Sequence, residues 1–435
     1  MGVLIFLTIA ILLWKNYFKT AVFFLIFTFV SIPYNYYIYN KLFINVLGVD
    51  MRVVSLCLIY SLFIVNIFKR KVKIEFSVRD LVFVSFILLA SYYFLLGVSN
   101  NTGFIKDDTY PIIIMLLTYS LSRNMLSDSK DITKFLHVIS LGTFVYSLCV
   151  IFIYLFMKDR LVDIFGETLF FWWGEERINF VNTTLILFSA IFSLDNILKK
   201  HKQILFSVIF IFNFIAMFLS QNRTLIASFM VILVLYLFYK LVTSKITNKK
   251  ITLVAVIILI GLGVGQSQGV QDIIEKTSFI NNVYNRFFEE KLDTLNVRQV
   301  TNNNGLEKIK EEPLGYGIGQ GVALYTDQGA FYSEGTFIDN LFITLGIKIG
   351  IVGLSLFTFM IIDLFIIIIK ILIKTKDKNY LLLLMIYPFF VLISAVMNAQ
   401  MVYGLPVMMV FIILYAFCIK HYNLLKTKIR SQAHV

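Results

Sequence analysis

The sequence predicts an all-α polytopic membrane protein with about 12 or 13 transmembrane helices and one long extracytoplasmic loop. Of its 435 residues, 59% are hydrophobic and only 15% are charged. Apolar blocks recur from one end of the chain to the other, and they match the length that an α-helix needs to cross roughly 30 Å of hydrocarbon. Polar and apolar residues alternate only weakly inside these blocks, which argues against a β-barrel.

The apolar blocks mark the candidate spans. In chain order they are 2–14, 18–33, 51–68, 80–97, 109–122, 134–157, 180–198, 203–220, 222–241, 250–265, 349–372, 379–396 and 402–420. The first two spans place the N-terminus outside the cytoplasm, and whether both of them cross the membrane stays open. The total is therefore uncertain by one span.

Basic segments between the spans alternate with neutral or acidic ones, and this alternation sets the orientation of the chain. The basic segments are "FKRKVK" at 68–73, "KKHK" at 199–202, "KITNKK" at 245–250, "KILIKTKDK" at 370–378 and "KHYNLLKTKIR" at 420–430. All of them fall on one side, which the positive-inside rule makes cytoplasmic. Segments 98–108, 158–179 and 266–348 fall on the other side.

This arrangement divides the chain into three parts. Residues 1–265 form an N-terminal bundle of about ten spans. Residues 266–348 form the long extracytoplasmic loop, including a segment that returns to the membrane, and residues 349–435 form the C-terminal helices with a basic cytoplasmic tail. Long loops tend to carry function, so we expect functional residues in the middle part.

Charge and cysteine usage exclude several kinds of function. The formal net charge is +13, but Lys and Arg occur in short runs between spans, which is typical of membrane topology and not of nucleic-acid binding. Cys57, Cys149 and Cys418 all lie inside apolar blocks. We therefore expect neither a disulfide nor a cysteine metal site.

The four histidines are His137, His201, His421 and His434, and in this topology all of them lie at or near the cytoplasmic side. That placement excludes a histidine metal site or a histidine general base on the outer face. For His137, a polar contact within the bundle is favoured over a ligand role. The outer face offers arginines and carboxylates instead.

The most glycine-dense stretch is "EEPLGYGIGQG" at 311–321, with Gly315, Gly317 and Gly319 in its centre. It lacks the Lys-Ser/Thr pair of a P-loop, and its glycine spacing differs from a dinucleotide fingerprint. It also lies in the extracytoplasmic loop, where there is no ATP. We expect a structural turn against the catalytic cleft, and whether its N–H groups touch phosphate stays open.

Two arginines lie at the predicted outer surface. Arg223 follows a tight turn in "LSQNRTLIAS", and a helix begins directly after it. A guanidinium beside a helix N-terminus suits a diphosphate, and a snorkelling arginine that anchors a helix end fits equally well. Arg177 closes "LFFWWGEERINF", whose aromatic residues indicate an interfacial segment, so here a solvated arginine beside acidic neighbours is favoured.

Three further candidates belong to the long loop. Arg298 in "LNVRQV" is predicted to lie on a solvated helix face. Glu334 and Asp339, in "YSEGTFIDNLF", stand where the loop returns to the membrane. Asp339 precedes an apolar run, which predicts either a partly buried carboxylate of raised pKa that serves as a general base or an N-terminal helix cap.

Taken in order, three stretches resemble the O-antigen polymerase and ligase (Wzy/WaaL) superfamily. "PLGYGIGQG" followed by "DNLFITLGIKIGIVGLSLF" is similar to its C-terminal hallmark. "LSQNRTLIAS" resembles its Ser-x-Arg at the start of a central span, and "ERINFVNTTLIL" is weakly similar to an earlier motif. The resemblance covers residues 177 to 356, and the rest of the chain matches only in hydropathy.

The resemblance implies a GT-C-like, metal-independent, inverting glycosyltransferase of the bacterial inner membrane whose active face is extracytoplasmic and which needs no cofactor. Its donor would be an oligosaccharide on undecaprenyl diphosphate, polymerised into O-antigen or capsular polysaccharide. The family's external arginines, which hold the diphosphate, correspond to Arg177, Arg223 and Arg298. Membrane lipids, a chain-length regulator and a flippase of the same pathway are the implied partners.

Two alternatives stay open at this point. Ligases of the family carry His at the loop end, whereas this chain has Asp339, which favours a polymerase and leaves the base between Asp339 and Glu334. From another class, a lipid-linked glycan flippase or exporter needs charges along a path through both leaflets. Asp195 and Asp363 lie inside spans, but both are towards the cytoplasmic half.

Overall fold

The computed structural model describes residues 1–69, 74, 76–126, 129–157, 178–243, 293–325 and 331–433. The helices, numbered in chain order, are α1 (Gly2–Trp14), α2 (Phe18–Ser31), α3 (Tyr36–Lys41), α4 (Met51–Phe68), α5 (Asp80–Ser99), α6 (Ile105–Met125), α7 (Ser129–Met157), α8 (Ile186–Leu198), α9 (Gln203–Leu219), α10 (Arg223–Thr243), α11 (Asp293–Glu311), α12 (Leu341–Thr375), α13 (Lys378–Val391), α14 (Gln400–Tyr403) and α15 (Leu405–Ala433). A 3-10 turn, Val181–Leu185, leads into α8, and a π turn, Leu392–Val396, extends α13.

The expected fold class is confirmed. Among the described residues, 8 helices are long and apolar enough to cross a membrane, and three shorter apolar helices accompany them. Each predicted span within these residues overlaps a helix, but α12 begins at Leu341, before the predicted 349, and α15 continues to Ala433, beyond the predicted 420. The predicted span 250–265 lies outside the described residues. The protein is therefore an all-α polytopic membrane protein.

Helix α15 forms the centre of the bundle. Its apolar window, Leu405–Thr427, is 94% buried, whereas the windows of α4 and α5 are 28% buried. Helix α15 packs against α6 and α12. A helix that is apolar on all sides belongs in the interior, whereas the outer helices α4 and α5 leave most of their apolar surface for lipid.

The connections gather at two opposite ends of the bundle. We call one the loop end, because it holds the glycine run, and the other the basic end. At the loop end, Gly2 N donates to Phe43 O and Phe104 N donates to Gly319 O. At the basic end, the starts of α2 and α7 meet through the ion pair between Lys19 and Asp131. The basic segments that the structure describes all belong to this second end.

The described part of the long loop is compact. Helix α11 packs on α12, and the glycine run leads into a hairpin of β3 (Val322–Tyr325) and β4 (Phe331–Gly335), in which Ala323 faces Glu334. A second small hairpin, β1 (Asn45–Val46) and β2 (Val49–Asp50), lies at the same end. Helix α12 is kinked at Ile349 and Gly350, the point at which the sequence predicts that the loop ends and the span begins.

Candidate functional site

A cavity of about 700 Å³ opens at the loop end. Its aromatic wall is formed by Tyr34, Tyr39, Tyr110, Phe337 and Tyr403. These side chains come from the chain around α3, the first turns of α6, the segment before α12, and α14. Aromatic faces together with a few polar groups are what a ligand pocket for a sugar-sized molecule requires.

The charged wall of the cavity contains Asp50, Lys106, Asp107 and Asp339. Asp107 and Lys106 belong to the first turns of α6, and Asp339 lies immediately before α12. Only Asp339 among these four follows from the sequence motifs. The other three were missed because they lie next to the ends of spans in the N-terminal bundle, where acidic and basic residues are ordinary.

Asp339 forms an ion pair with Arg298, with 2.8 Å between Oδ2 and Nε. The side chains are 48% and 39% exposed, respectively. The Asp339 side chain is therefore about half exposed. The expectation that Asp339 caps the helix is wrong, because Asn340 accepts from the N–H groups of Phe342 and Ile343. The solvated face expected for Arg298 is also wrong in part, because its guanidinium contacts Asp339 and lies 4.0 Å from Met397 Sδ.

A second carboxylate of the cavity wall is locked to a buried guanidinium. Asp50 accepts from Arg52 Nη2 at 2.6 Å and from Nε at 3.0 Å, and it also caps α4 by accepting from Arg52 N. The Arg52 side chain is fully buried and lies over the rings of Phe29 and Tyr39, 4.4 and 4.1 Å from their centroids. These contacts make Asp50 a fixed part of the wall.

The tyrosines beside this pair are neutral hydrogen-bond groups. Burial raises the pKa of Tyr34 to about 12, although the nearby Arg52 guanidinium opposes the shift. Burial also raises the pKa of Tyr39, again against the effect of Arg52. Both phenols therefore keep their protons at neutral pH.

The glycine run is a turn wedged between helices. Gly315, Gly317 and Gly319 all have positive φ angles, of 89°, 107° and 89°. Gly317 N donates to Lys348 O, and Gly319 N donates to Asp108 Oδ2 at 2.6 Å. A Cβ on Gly317 would stand 2.8 Å from the backbone nitrogen of Gly97. These backbone N–H groups have protein acceptors, and the glycines are required by close backbone contact.

A buried ion pair joins this turn to the cavity wall. Lys348 Nζ lies 2.6 and 2.5 Å from the two carboxylate oxygens of Asp108, and each side chain is only 2% exposed. Lys348 also lies over the ring of Tyr403, which stacks on Phe337. Asp108 is the neighbour of Asp107, so the pair fixes the turn of α6 that presents Asp107 to the cavity.

Of the other predicted site residues, Glu334 and Arg223 are described, and neither is among the residues that line the cavity. Glu334 is an exposed residue of β4, and its carboxylate lies against Gly321. Arg223 is the first residue of α10, next to the turn in which Asn222 accepts from Leu225 N. It is not part of the cavity wall as described. Arg177 lies outside the described residues.

The segment after Arg177 connects the turn near Arg223 with the cavity. Ile178 N donates to Leu219 O, four residues before Arg223. Further along, Thr184 donates to Gln400 Oε1 at 2.7 Å, and Gln400 lines the cavity. Asn182, from the "ERINFVNTTLIL" motif, donates to the carbonyls at the end of α2.

The described histidines lie at the basic end. His137 Nδ1 contacts Thr133 O in the first turns of α7, and His421 contacts the hydroxyl of Tyr380. His201 follows α8 in the turn that contains the basic segment 199–202. His434 lies outside the described residues. The cavity therefore contains carboxylates, a lysine and tyrosines, with an arginine at its edge, and no histidine among the residues described.

Comparison with known proteins finds a family model that matches part of the chain. Residues 208–358 match the family model described as O-antigen ligase. The matched region contains Arg223, Arg298, the glycine run, Asp339 and the kink of α12. No curated protein matches the chain. A family with this description suggests polysaccharide assembly at a membrane, and the match does not distinguish a polymerase from a ligase.

Proposed function

We propose, from the premise that the chain belongs to the O-antigen polymerase and ligase superfamily, that it is a polymerase. It would join undecaprenyl-diphosphate-linked oligosaccharide repeat units into O-antigen or capsular polysaccharide. The observation that carries the proposal is the cavity at the loop end, with Asp339 in its wall and Arg298 in contact with Asp339. The Asp339 carboxylate can accept a proton, and the Arg298 guanidinium can bind a phosphate.

The choice of polymerase over ligase rests on residue 339. The resembling ligases have a histidine there, and this chain has an aspartate. A transfer enzyme is also favoured over a flippase. Asp195 and Asp363, which lie inside predicted spans, pair with Lys240 and Arg79 at the basic end. They therefore do not form the charged path towards the loop end that a flippase needs.

The chemistry needs few groups. An acceptor hydroxyl oxygen attacks the anomeric carbon and forms the new glycosidic bond, while the bond from that carbon to the diphosphate oxygen breaks. The electron pair leaves with the diphosphate, and the hydroxyl proton passes to a carboxylate, for which we propose Asp339 over Glu334. Attack from the face opposite the leaving group inverts the anomeric centre. Arginines neutralise the departing diphosphate, and the cavity orients the acceptor.

Asp339 is preferred to Glu334 because of its position. Asp339 lines the cavity, whereas Glu334 projects from the β3–β4 hairpin against Gly321. A base must come within hydrogen-bond distance of the hydroxyl that it deprotonates. The aromatic wall supports the same choice, because a sugar stacked on it brings its hydroxyl groups near Asp339.

Arg298 and Arg223, with Arg177, are proposed to bind the donor diphosphate. Arg298 is adjacent to the cavity, and Arg223 stands at the N-terminus of α10, where helix N–H groups favour an anion. Arg223→Lys should lose most of the activity, because an ammonium cannot reproduce the bidentate contact of a guanidinium with phosphate. Normal polymer from a well-expressed Arg223→Lys protein would assign Arg223 to anchoring the helix end.

The loop end is proposed to face away from the cytoplasm of the bacterial inner membrane. A cysteine at Gly103 tests this, since Gly103 is exposed and a Cβ there meets nothing within 4 Å. In a variant without native cysteines, an impermeant thiol reagent should label Gly103→Cys in intact cells. The matched Lys202→Cys at the basic end should react only after lysis. The reverse pattern would refute both the orientation and the mechanism.

The function is tested by the glycans of a deletion strain and by the purified protein. Loss of a polymerase leaves a single repeat unit on lipid or acceptor, whereas loss of a ligase leaves full-length chains on lipid. The purified protein, given only the lipid-linked repeat unit, should produce a ladder of longer chains and release undecaprenyl diphosphate. Full-length chains that accumulate on lipid in the deletion strain would replace the polymerase with a ligase.

A further inference from the structure

The contact between Arg298 and Asp339 joins two groups that the proposed reaction needs separately. Arg298 is proposed for the diphosphate and Asp339 for the proton. In the structure, Nε of Arg298 lies 2.8 Å from Oδ2 of Asp339. While this contact lasts, one of the two carboxylate oxygens of Asp339 is engaged by a cation, and so is one edge of the guanidinium.

The geometry of the pair favours exchange. Only one N–H···O contact joins the two side chains, through Nε, and the Nη1 group faces the weak acceptor Met397 Sδ at 4.0 Å. The side chains are 39% and 48% exposed. Ion pairs with this exposure contribute little free energy, because water screens the charges and holding two long side chains in one geometry costs entropy.

A diphosphate is a stronger partner for Arg298 than one carboxylate. It carries more negative charge, and it accepts two parallel N–H···O bonds from a guanidinium. After displacement, the Asp339 carboxylate can turn into the cavity in which the acceptor would bind, because Asp339 already lines this cavity. Exchange of partners therefore gains a bidentate contact and releases the carboxylate next to the acceptor.

We propose that the donor diphosphate displaces Asp339 from Arg298 and thereby activates the base. This inference rests on the proposed function and adds an order of binding. The donor binds first, and the Asp339 carboxylate that it releases then accepts the proton of the acceptor hydroxyl. The Asp50–Arg52 pair of the same cavity does not exchange. Its guanidinium is fully buried, contacts the carboxylate through two nitrogens, and lies over the rings of Phe29 and Tyr39.

The test measures binding of undecaprenyl diphosphate to the purified full-length protein in nanodiscs, without acceptor. Asp339→Asn should bind this ligand about two- to fivefold more tightly than the wild type, the factor that corresponds to an exposed ion pair. Arg298→Gln should bind it at least about tenfold more weakly, because a charge-assisted bidentate contact is lost. A variant expected to lose catalysis thus gains affinity, which a purely structural role of Asp339 does not produce.

Two controls separate exchange from a general charge effect. Glu307→Gln removes a carboxylate from the same helix as Arg298, further along α11, and should leave the affinity unchanged. The double variant Asp339→Asn with Arg298→Gln should match Arg298→Gln alone, since Asp339 competes only for that guanidinium. A gain that persists in the double variant would overturn the inference in favour of long-range repulsion.

The outcomes also distinguish this inference from the function on which it rests. If the wild-type protein binds undecaprenyl diphosphate and Asp339→Asn binds it equally or more weakly, the exchange is refuted and the polymerase proposal stands. If the wild type does not bind undecaprenyl diphosphate at all, the proposed donor is wrong, and the exchange is refuted with it.

Discussion

Two arginine–aspartate pairs at opposite ends of the bundle use the same chemistry with different consequences. At the basic end, Arg123 contacts Asp80 through Nε at 2.8 Å and Nη2 at 3.1 Å, and Tyr119 donates to the same carboxylate. The two side chains are 4% and 3% exposed. At the loop end, Arg298 and Asp339 share one contact, and their side chains are 39% and 48% exposed.

The two pairs differ because one is buried and the other is exposed, and not because they lie at different ends of the bundle. The basic-end pair joins α5 to α6, and its loss would leave a charge in a low-dielectric interior. The loop-end pair stands beside a cavity, where water or a ligand can replace either partner. Asp108–Lys348 is also at the loop end but is buried, and we expect it to behave like the pair at the basic end. Four predictions test this comparison.

The largest expected effect is on catalysis at the exposed pair. Asp339→Asn keeps the shape of the side chain but cannot accept a proton, so polymerisation by purified protein should fall by about 10²–10⁴-fold. Thermal unfolding should stay close to that of the wild type. Glu334→Gln is the comparison, with the smaller loss. An active Asp339→Asn beside an inactive Glu334→Gln would make Glu334 the base.

The second effect is on stability at the buried pair of the loop end. Lys348→Met leaves the Asp108 carboxylate buried without its cation, and we expect a loss of about 3–5 kcal/mol in the free energy of unfolding. Unfolding by dodecyl sulfate in mixed micelles gives the measurement. The double variant with Asp108→Asn should recover most of the loss. A single variant as stable as the wild type would show that burial does not decide how these pairs behave.

A smaller effect is expected in the glycine run. Gly317→Ala requires a side chain at φ 107°, with its Cβ 2.8 Å from Gly97 N, so we expect a loss of about 1–3 kcal/mol. Gly103→Ala is the matched control in open space and should be close to neutral. The same unfolding assay compares them. Equal stability of the two variants would contradict the close packing of this turn against α5.

The smallest effect is on the stability of the exposed pair. Arg298→Gln should change the free energy of unfolding by less than about 1 kcal/mol, because an exposed ion pair contributes little. The corresponding Arg123→Gln at the basic end should cost several times more. If Arg298→Gln unfolds the protein, Arg298 is structural, and its pair with Asp339 belongs with the buried ones.

Much of the fold was predictable from the sequence. The apolar blocks predicted the spans because the length of a membrane helix is set by the thickness of the bilayer, a local property of the chain. The basic segments predicted which connections share an end, since every crossing reverses the side. The start of the predicted span at 349 even coincides with the kink at Ile349 and Gly350.

The candidate site was predictable only in part. Motifs pointed to Asp339 and Arg298 one by one, but their contact joins residues of two separate elements, and no local pattern encodes it. The same holds for Asp108 and Lys348, which are far apart in the chain. The helix cap at Asp339 was a wrong expectation, because the apolar run after it indicated roughly where the helix begins and not which residue caps it.

The sequence by itself determined that this chain is a membrane bundle, where most of its spans lie, and that Asp339 and Arg298 are candidate site residues. Only the tertiary structure decided which charges are buried and paired, and which line the cavity. The physical reason is that hydropathy and helix length act along the chain, whereas burial and ion pairing depend on which distant segments pack together. In this protein, that packing buries the ion pairs Asp80–Arg123 and Asp108–Lys348 and leaves Arg298–Asp339 accessible for the proposed exchange with a diphosphate.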